Sequence, residues 1–189
     1  MKKINIVIIA LLALGLCGLA LMEGYIKPGI RKKEEQDLAE QQEPLTHDFS
    51  RLLQFKSRYM GDVSNLANLN GALPLSDIPR TYQLYPETLE AEINYRDTPA
   101  AVTADLFERA LIYNATANFV LIDNLETLTL KFAEGSYSIT RHAVKSWHGI
   151  APAALQDGAL WAEKVQQPLS DRAYVRSFIE ENFTVQRHR

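Results

Sequence analysis

The sequence predicts an α+β domain: an antiparallel sheet of about four strands with helices packed on one face, preceded by an N-terminal transmembrane helix. Three observations predict it. The run from Ile4 to Met22 is apolar apart from Asn5. Four later segments alternate apolar and polar residues with period two, as half-buried strands do. Around them lie segments whose apolar residues recur every three or four positions, the spacing of a helix with one buried face.

Lys2 and Lys3 sit ahead of the apolar run. Nineteen residues at roughly 1.5 Å each give about 28 Å of helix, close to the hydrocarbon thickness of a bilayer. Three readings fit the run. A cleaved signal has a shorter apolar stretch, and the best cleavage-like triplet, Gly18-Leu19-Ala20, lies inside this one. A lipoprotein signal would lipidate Cys17, but Leu16 stands where a small residue is usual. An uncleaved anchor fits the length best and makes the lipid bilayer the first partner. The second flank carries Lys27, Arg31, Lys32 and Lys33, which by charge alone favours it as cytoplasmic. A short tail, an apolar run and a large C-terminal domain favour export instead. So does cysteine usage, since none follows Cys17. The expected order is therefore a tail (1–3), the anchor or signal (4–22), a charged linker (23–44) and one extracytoplasmic domain (45–189).

The chain has 189 residues and a net charge of −3. After residue 33 there remain 14 basic and 22 acidic residues. So acidic a domain lacks the basic footprint of a nucleic-acid binder, and no such partner is expected. The remaining length suits one domain with a sizeable core.

Arg31 to Glu43 (RKKEEQDLAEQQE) reads as a solvated stalk, open to helix formation. Phe49, Leu52, Leu53, Phe55 and Tyr59 form a helical stripe with Thr46 or Asp48 as its cap, and Gly61 suits a helix end. Asp62 or Ser64 caps a second helix through Leu66, Leu69 and Leu73. Strands are expected at 81–85 and 89–95. In the second of these, Leu89, Ala91, Ile93 and Tyr95 face one way, and Glu90, Glu92, Asn94 and Arg96 the other. A helix from about Ala100 to Ile122 carries no charge after Arg109, the pattern of a buried helix. Asp123-Asn124 turns the chain into strands at 125–132 and 137–141. The C-terminus is helical, capped by Ser170 or Asp171, with Tyr174, Val175, Phe178 and Ile179 in one stripe.

Motifs that carry chemistry are sparse. His47, His142, His148 and His188 make no metal-ligand spacing, and neither a phosphate loop nor a nucleophile elbow is present. No catalytic residue, metal or cofactor is assigned. Glu90 and Glu92 share a strand face about 7 Å apart, but acid–base work by such a pair needs burial, so they read as the polar half of the strand. Asn114 and Asn118, four apart on the charge-free helix, read as buried amides tying it to loop backbone. Tyr82, Tyr85, Tyr95, Trp147 and Trp161 could line a groove, although aromatics so spaced are more often core.

Two segments carry a resemblance. Tyr59-Met60-Gly61-Asp62-Val63-Ser64-Asn65-Leu66, leading to Leu73-Pro74-Leu75, resembles the opening motif of the bacterial domain-of-unknown-function family 4825. Tyr113-Asn114-Ala115, followed by Phe119-Val120-Leu121-Ile122-Asp123-Asn124-Leu125, resembles its second motif, and Leu89–Tyr95 falls where that family has a strand. The likeness spans about residues 49–140. It implies a small exported or membrane-anchored protein, of a kind similar to domains that accompany membrane-bound sensor peptidases, and it brings neither activity nor ligand. Gly61, Asp62, Asn65, Asn114, Asn118, Asp123 and Asn124 are then candidate structural motif residues, with Gly61 and Asp62 as caps.

The expectation is a non-enzymatic binding or regulatory domain that meets an envelope protein. The candidate face is the outward side of the sheet: Glu90, Glu92, Thr127, Thr129, Ser138 and Thr140. The alternatives are a small envelope hydrolase with a dispersed site, marked by His142 or His148 beside a carboxylate in a concave pocket, and a ligand-binding lipoprotein.

Overall fold

Residues 14, 15, 19, 21–96 and 102–187 are described in the structure, a computed structural model. Contacts divide the chain into one unit up to Ala39 and another from Glu40. In the first, a π-helical turn at Met22–Ile26 runs into helix α1 (Lys27–Gln42), which buries no residue. A helix polar all round stands by solvation and local pairs such as Lys27–Glu23 at 3.1 Å. The expected transmembrane helix is corrected here: among the described residues no helix is long and apolar enough to cross a membrane. Helix α1 is too charged to enter hydrocarbon. Most of 4–22, with the tail 1–3 and Cys17, lies outside the described residues.

From Phe49 on the order is a 3₁₀ turn (Phe49–Phe55), helix α2 (Val63–Ala72), strands β1 (Arg80–Tyr85) and β2 (Glu90–Tyr95), helix α3 (Ala104–Leu121), strands β3 (Thr127–Phe132) and β4 (Gly135–Thr140), helix α4 (Arg141–His148), a string of short helical turns over 152–170, helix α5 (Arg172–Asn182) and strand β5 (Thr184–Arg187). The strands form one sheet in the order β1-β2-β3-β4-β5.

That sheet corrects the expected four-stranded antiparallel one in two ways. First, β2 and β3 pair in parallel, Ala91 beside Leu128 and Ile93 beside Leu130. The cause is α3: a helix of 18 residues carries the chain back along the sheet, so β3 starts at the same end as β2. Second, β5 adds an antiparallel edge on β4, with Tyr137 opposite Val185. Its four residues are all exposed and too few to show a period, so backbone pairing holds it in place.

Local signals place the helix starts. Asp48, Asp62, Thr103, Thr140 and Asp171 each accept a hydrogen bond from the first turn they precede. Gly149, at φ 68°, closes α4 in the left-handed conformation. Gly61 does not end a helix as expected: the preceding 3₁₀ turn stops at Phe55, and Gly61 lies in a turn before Asp62.

All twelve residues from Ala110 to Leu121 are buried, so the second half of α3 is the axis of the core. On one side lie the inward residues of the sheet, Ala91, Ile93, Leu128, Leu130 and Ile139. On the others lie the 3₁₀ turn through Leu52, α2 through Leu66 and Leu69, the 152–170 turns through Leu155 and Trp161, and α5 through Val175 and Phe178.

A helix enclosed in this way must find partners for its polar side chains inside the core. Asn118 and Asn70 exchange reciprocal amide bonds at 3.0 Å each. Their second N–H groups go to Asn114 O at 2.8 Å and Leu66 O at 2.9 Å. Asn114 Nδ2 donates to Pro74 O at 2.8 Å. That bond pins the turn in which buried Leu75 sits at φ 67°, a conformation costing a non-glycine residue about 1–3 kcal/mol. Arg80 extends the network, donating to Asn70 O at 2.7 Å and Ser76 O at 2.5 Å while its guanidinium lies over Tyr95.

Replacing Asn118 with Leu strands the Asn70 amide in the core and should cost about 2 kcal/mol in urea unfolding. The Asn70→Leu, Asn118→Leu double variant should lose less than the sum of the singles, by roughly 1 kcal/mol. Strictly additive losses would mean the two amides do not act as a pair.

Candidate functional site

The motif residues fall into two structural groups. Ser57 and Met60, just before Gly61, Asp62 and Asn65, meet Asp123 and Asn124 in a backbone clasp. Asn124 Oδ1 accepts from Met60 N at 2.6 Å, Asp123 N donates to Ser57 O at 2.9 Å, and Ser57 N to Leu121 O at 2.8 Å. Asp62 caps Asn65 N at 2.9 Å, and the Asn65 amide donates back to Phe55 O at 2.7 Å. Arg141, which sequence reasoning passed over, closes the far side: its guanidinium lies over the Phe119 ring, donates to Ile122 O and bonds Leu125 O at 2.7 Å. Asn114 and Asn118 belong to the core network instead. Both groups spend most of their polar atoms on the fold; the buried Asn114 Oδ1 is the atom of the network without a hydrogen-bond partner among the described residues.

The outward sheet face is assembled by register. Glu90 stands beside Thr127 and Glu92 beside Thr129; Thr127 faces Thr140, and Thr129 faces Ser138. These side chains bond to one another across strands. Lys131 holds Glu92 at 2.6 Å, and Thr129 donates to Ser138 Oγ at 3.0 Å. Glu90 is half-buried and Thr140 exposed, the latter spent on capping α4. The face is a polar surface of paired side chains.

The histidines have separate surroundings. His47 is buried, its Nε2–H donating to Ala72 O at 2.8 Å, so Nδ1 accepts from the Tyr113 hydroxyl at 2.9 Å. Burial holds it neutral, with its pKa below 6.5. Sequence reasoning missed this pair: His47 stands alone before the first apolar stripe, and its partner lies 66 residues away. His142 is on the surface beside Ser146 at 3.4 Å. His148 has its pKa lowered to about 4 by burial, with the Lys164 charge adding to the effect. Lys164 and Glu163 line the same shallow pocket as His148, and the Glu163 carboxylate is paired with Lys164 at 3.6 Å. His188 lies outside the described residues. No group of His, Cys, Asp or Glu among the described residues could hold a metal ion.

A cleft of about 380 Å³ at one end of the sheet has binding character, and a hollow of about 650 Å³ adjoins it along Glu108, Ile179, Val185 and Arg187. Val102, Ala104 and Phe107 at the start of α3, Phe132 and Tyr137 of the β3–β4 hairpin, and Ile179 and Val185 form its walls. Phe107 stands edge-on to Phe132 at 4.9 Å and to Tyr137 at 5.7 Å. The first turns of α3 lack the cover that encloses its second half, so these rings border open space. Glu108, Glu134 and Arg187 carry charge at the rim. Burial pushes the Tyr137 hydroxyl pKa up; Arg187 opposes the rise, while Glu108 and Glu134 reinforce it. Ligand sites have this size and make-up, roughly 300–1,000 Å³ of apolar wall with a few polar groups.

Gly135 sets the shape of the hairpin end. A Cβ there would stand 2.5 Å from Gln186 O, so only glycine lets β5 lie so close.

The fold and the clasp define a small α+β domain in which a helical crossover links the parallel pair of a mixed sheet. Residues 52–142 match the family model of DUF4825, a domain of unknown function, and the resemblance read from the two motifs holds over that span. No curated protein and no solved structure matches the chain. The matched span holds the clasp, the amide network and most of the sheet, whereas Ile179, Val185 and Arg187 of the cleft lie beyond it.

The histidines predict a pH dependence. Well above 6.5 His47 and His148 are neutral folded or unfolded and contribute no slope. As pH falls through 6.5 the unfolded chain takes up protons that buried His47 and half-buried His148 refuse, so stability drops, with the His148 part lost by about pH 4. Melting temperatures across this window should decline, and His148→Gln should flatten the decline. An unchanged slope in that variant would show that His148 is not held neutral.

Proposed function

We propose that this domain is a non-enzymatic binding or regulatory module of the bacterial cell envelope, working outside the membrane, and that its ligand site is the cleft at the end of the sheet. The cleft itself carries the reading: three aromatic rings and four aliphatic side chains border one opening, with charged Glu108, Glu134 and Arg187 at the rim. Such a site takes an apolar or aromatic group that bears a polar end. The amide network and the clasp support the same reading, because most of their amide groups are bonded to backbone or to each other. The basic tail, the apolar run 4–22 and the absence of cysteine after Cys17 support the export side.

The outward face is the second reading, favoured by its half-exposed Thr, Ser and Glu side chains held in register. A partner protein would meet it by matching polar groups.

The full chain should bind the apolar dye anilinonaphthalene sulfonate saturably, with one site. Val185→Glu at the cleft should weaken binding by roughly tenfold, and Gln186→Glu, the neighbour on the opposite sheet face, should leave it unchanged. Equal loss in both variants would remove the cleft as the site. A cysteine at Gln186 should also react with a membrane-impermeant maleimide in intact cells; protection there would place the domain inside.

A further inference from the structure

We propose that β1 is a self-pairing edge, through which two copies of this chain join their sheets into one ten-stranded sheet about a two-fold axis at Gln83.

The direction of the β1 backbone follows from its bonds. Arg96 N donates to Pro79 O at 2.9 Å, and Thr81, Gln83 and Tyr85 face Asn94, Glu92 and Glu90. Hydrogen-bonded and non-bonded pairs alternate in an antiparallel ladder, so Thr81, Gln83 and Tyr85 turn their peptide groups toward β2. Those of Arg80, Tyr82 and Leu84 point to the open edge. On the other side of β2, Leu89 O accepts from Glu126 N at 2.9 Å, in phase with the same alternation.

Soluble proteins protect such edges with charge, proline, bulges or shortness. The opposite edge, β5, is four residues long and ends in Arg187. β1 has six residues, an unbroken register and no charge or proline from Thr81 to Tyr85. Tyr82 and Leu84 stay half-buried on the core side, and Tyr85 is exposed on the other.

A second copy fits this edge because the edge is complementary to itself. The pleat requires core-facing residues to oppose core-facing residues, which restricts the register. With Gln83 opposite Gln83, Tyr82 of one copy exchanges both peptide bonds with Leu84 of the other, and the axis repeats the pair. Tyr82 then covers Leu84 of its partner on the core side, and Thr81 meets Tyr85 on the outer side. The Arg80 end of each copy meets the Pro86-Glu87 end of the other, so like charges do not face each other.

Cysteine trapping tests the register in the full chain carrying Cys17→Ser. Facing residues of a non-hydrogen-bonded pair have Cα atoms about 4.5 Å apart, within disulfide range. Gln83→Cys should therefore oxidise to a dimer at least tenfold faster than Thr81→Cys, whose copies would lie roughly 13 Å apart, or Gln186→Cys on the opposite edge. Comparable rates at all three positions overturn the proposal. Without added cysteines, the chain should sediment as a dimer at rising concentration. Gln83→Lys and Gln83→Glu should each return it to monomer, and their equimolar mixture should restore the dimer. A chain that stays monomeric throughout, or variants that associate like the parent, would equally overturn it, and an edge that takes only a foreign strand would show as the former.

Discussion

Enclosing the second half of α3 is the constraint on which the rest of the structure depends. Twelve consecutive residues lose contact with solvent, and Asn114 and Asn118 are among them. An unpaired amide in that position would cost about 1–3 kcal/mol, so the surrounding elements are held where they can meet these groups. α2 brings Asn70, the turn after it brings Pro74 O, and Arg80 ties both to the start of β1. Tyr95 is enclosed by the same packing: burial pushes its hydroxyl pKa up to about 12, against Arg80 and Asn114 beside it. Position and register of β1 therefore follow from a bond made in the middle of a helix.

The same helix explains where binding character appears. Its buried end is finished by the clasp, in which Asn124, Ser57 and Arg141 satisfy backbone groups around the Leu121–Asp123 turn. Its first turns, from Ala104 to Arg109, project past the sheet with partial cover. Phe107 thus packs on Phe132 and Tyr137 by ring edges and still borders a cleft. The clasp finishes the buried end of α3, and at the other end ion pairs of Asp105 and Arg109 stand beside an open apolar wall.

Much of this was legible in the sequence, and the failures have physical causes. Period-two alternation located β2 and β3 and gave their inward residues, because one face of each is fully buried, whereas in β4 Tyr137 is only half-buried and Ser136 is buried. The charge-free stretch after Arg109 announced the buried half of α3, and the buried amides were read from the same stretch. Pairing direction was not legible, since alternation is identical in parallel and antiparallel strands. Helix α4 was overlooked although Thr140 and Gly149 marked both its ends, because its single buried residue, Val144, leaves too thin a stripe. The 152–170 turns mix 3₁₀, α and π geometry and keep no single period. The cleft joins residues from three distant parts of the chain, and His47 with Tyr113 is likewise a long-range pair, so local pattern carried no sign of either.

Hydrogen exchange resolved by residue tests the account most directly. If α3 is the enclosed axis, amides from Ala110 to Leu121 should exchange only through global unfolding, with protection equal to the stability measured by urea. The first turns of α3 and strand β5, around the cleft, should open locally and exchange faster. Exchange of the Ala110–Leu121 amides at the rate of those first turns would contradict it, because a helix that opens alone is not what holds the sheet, the clasp and α2 together.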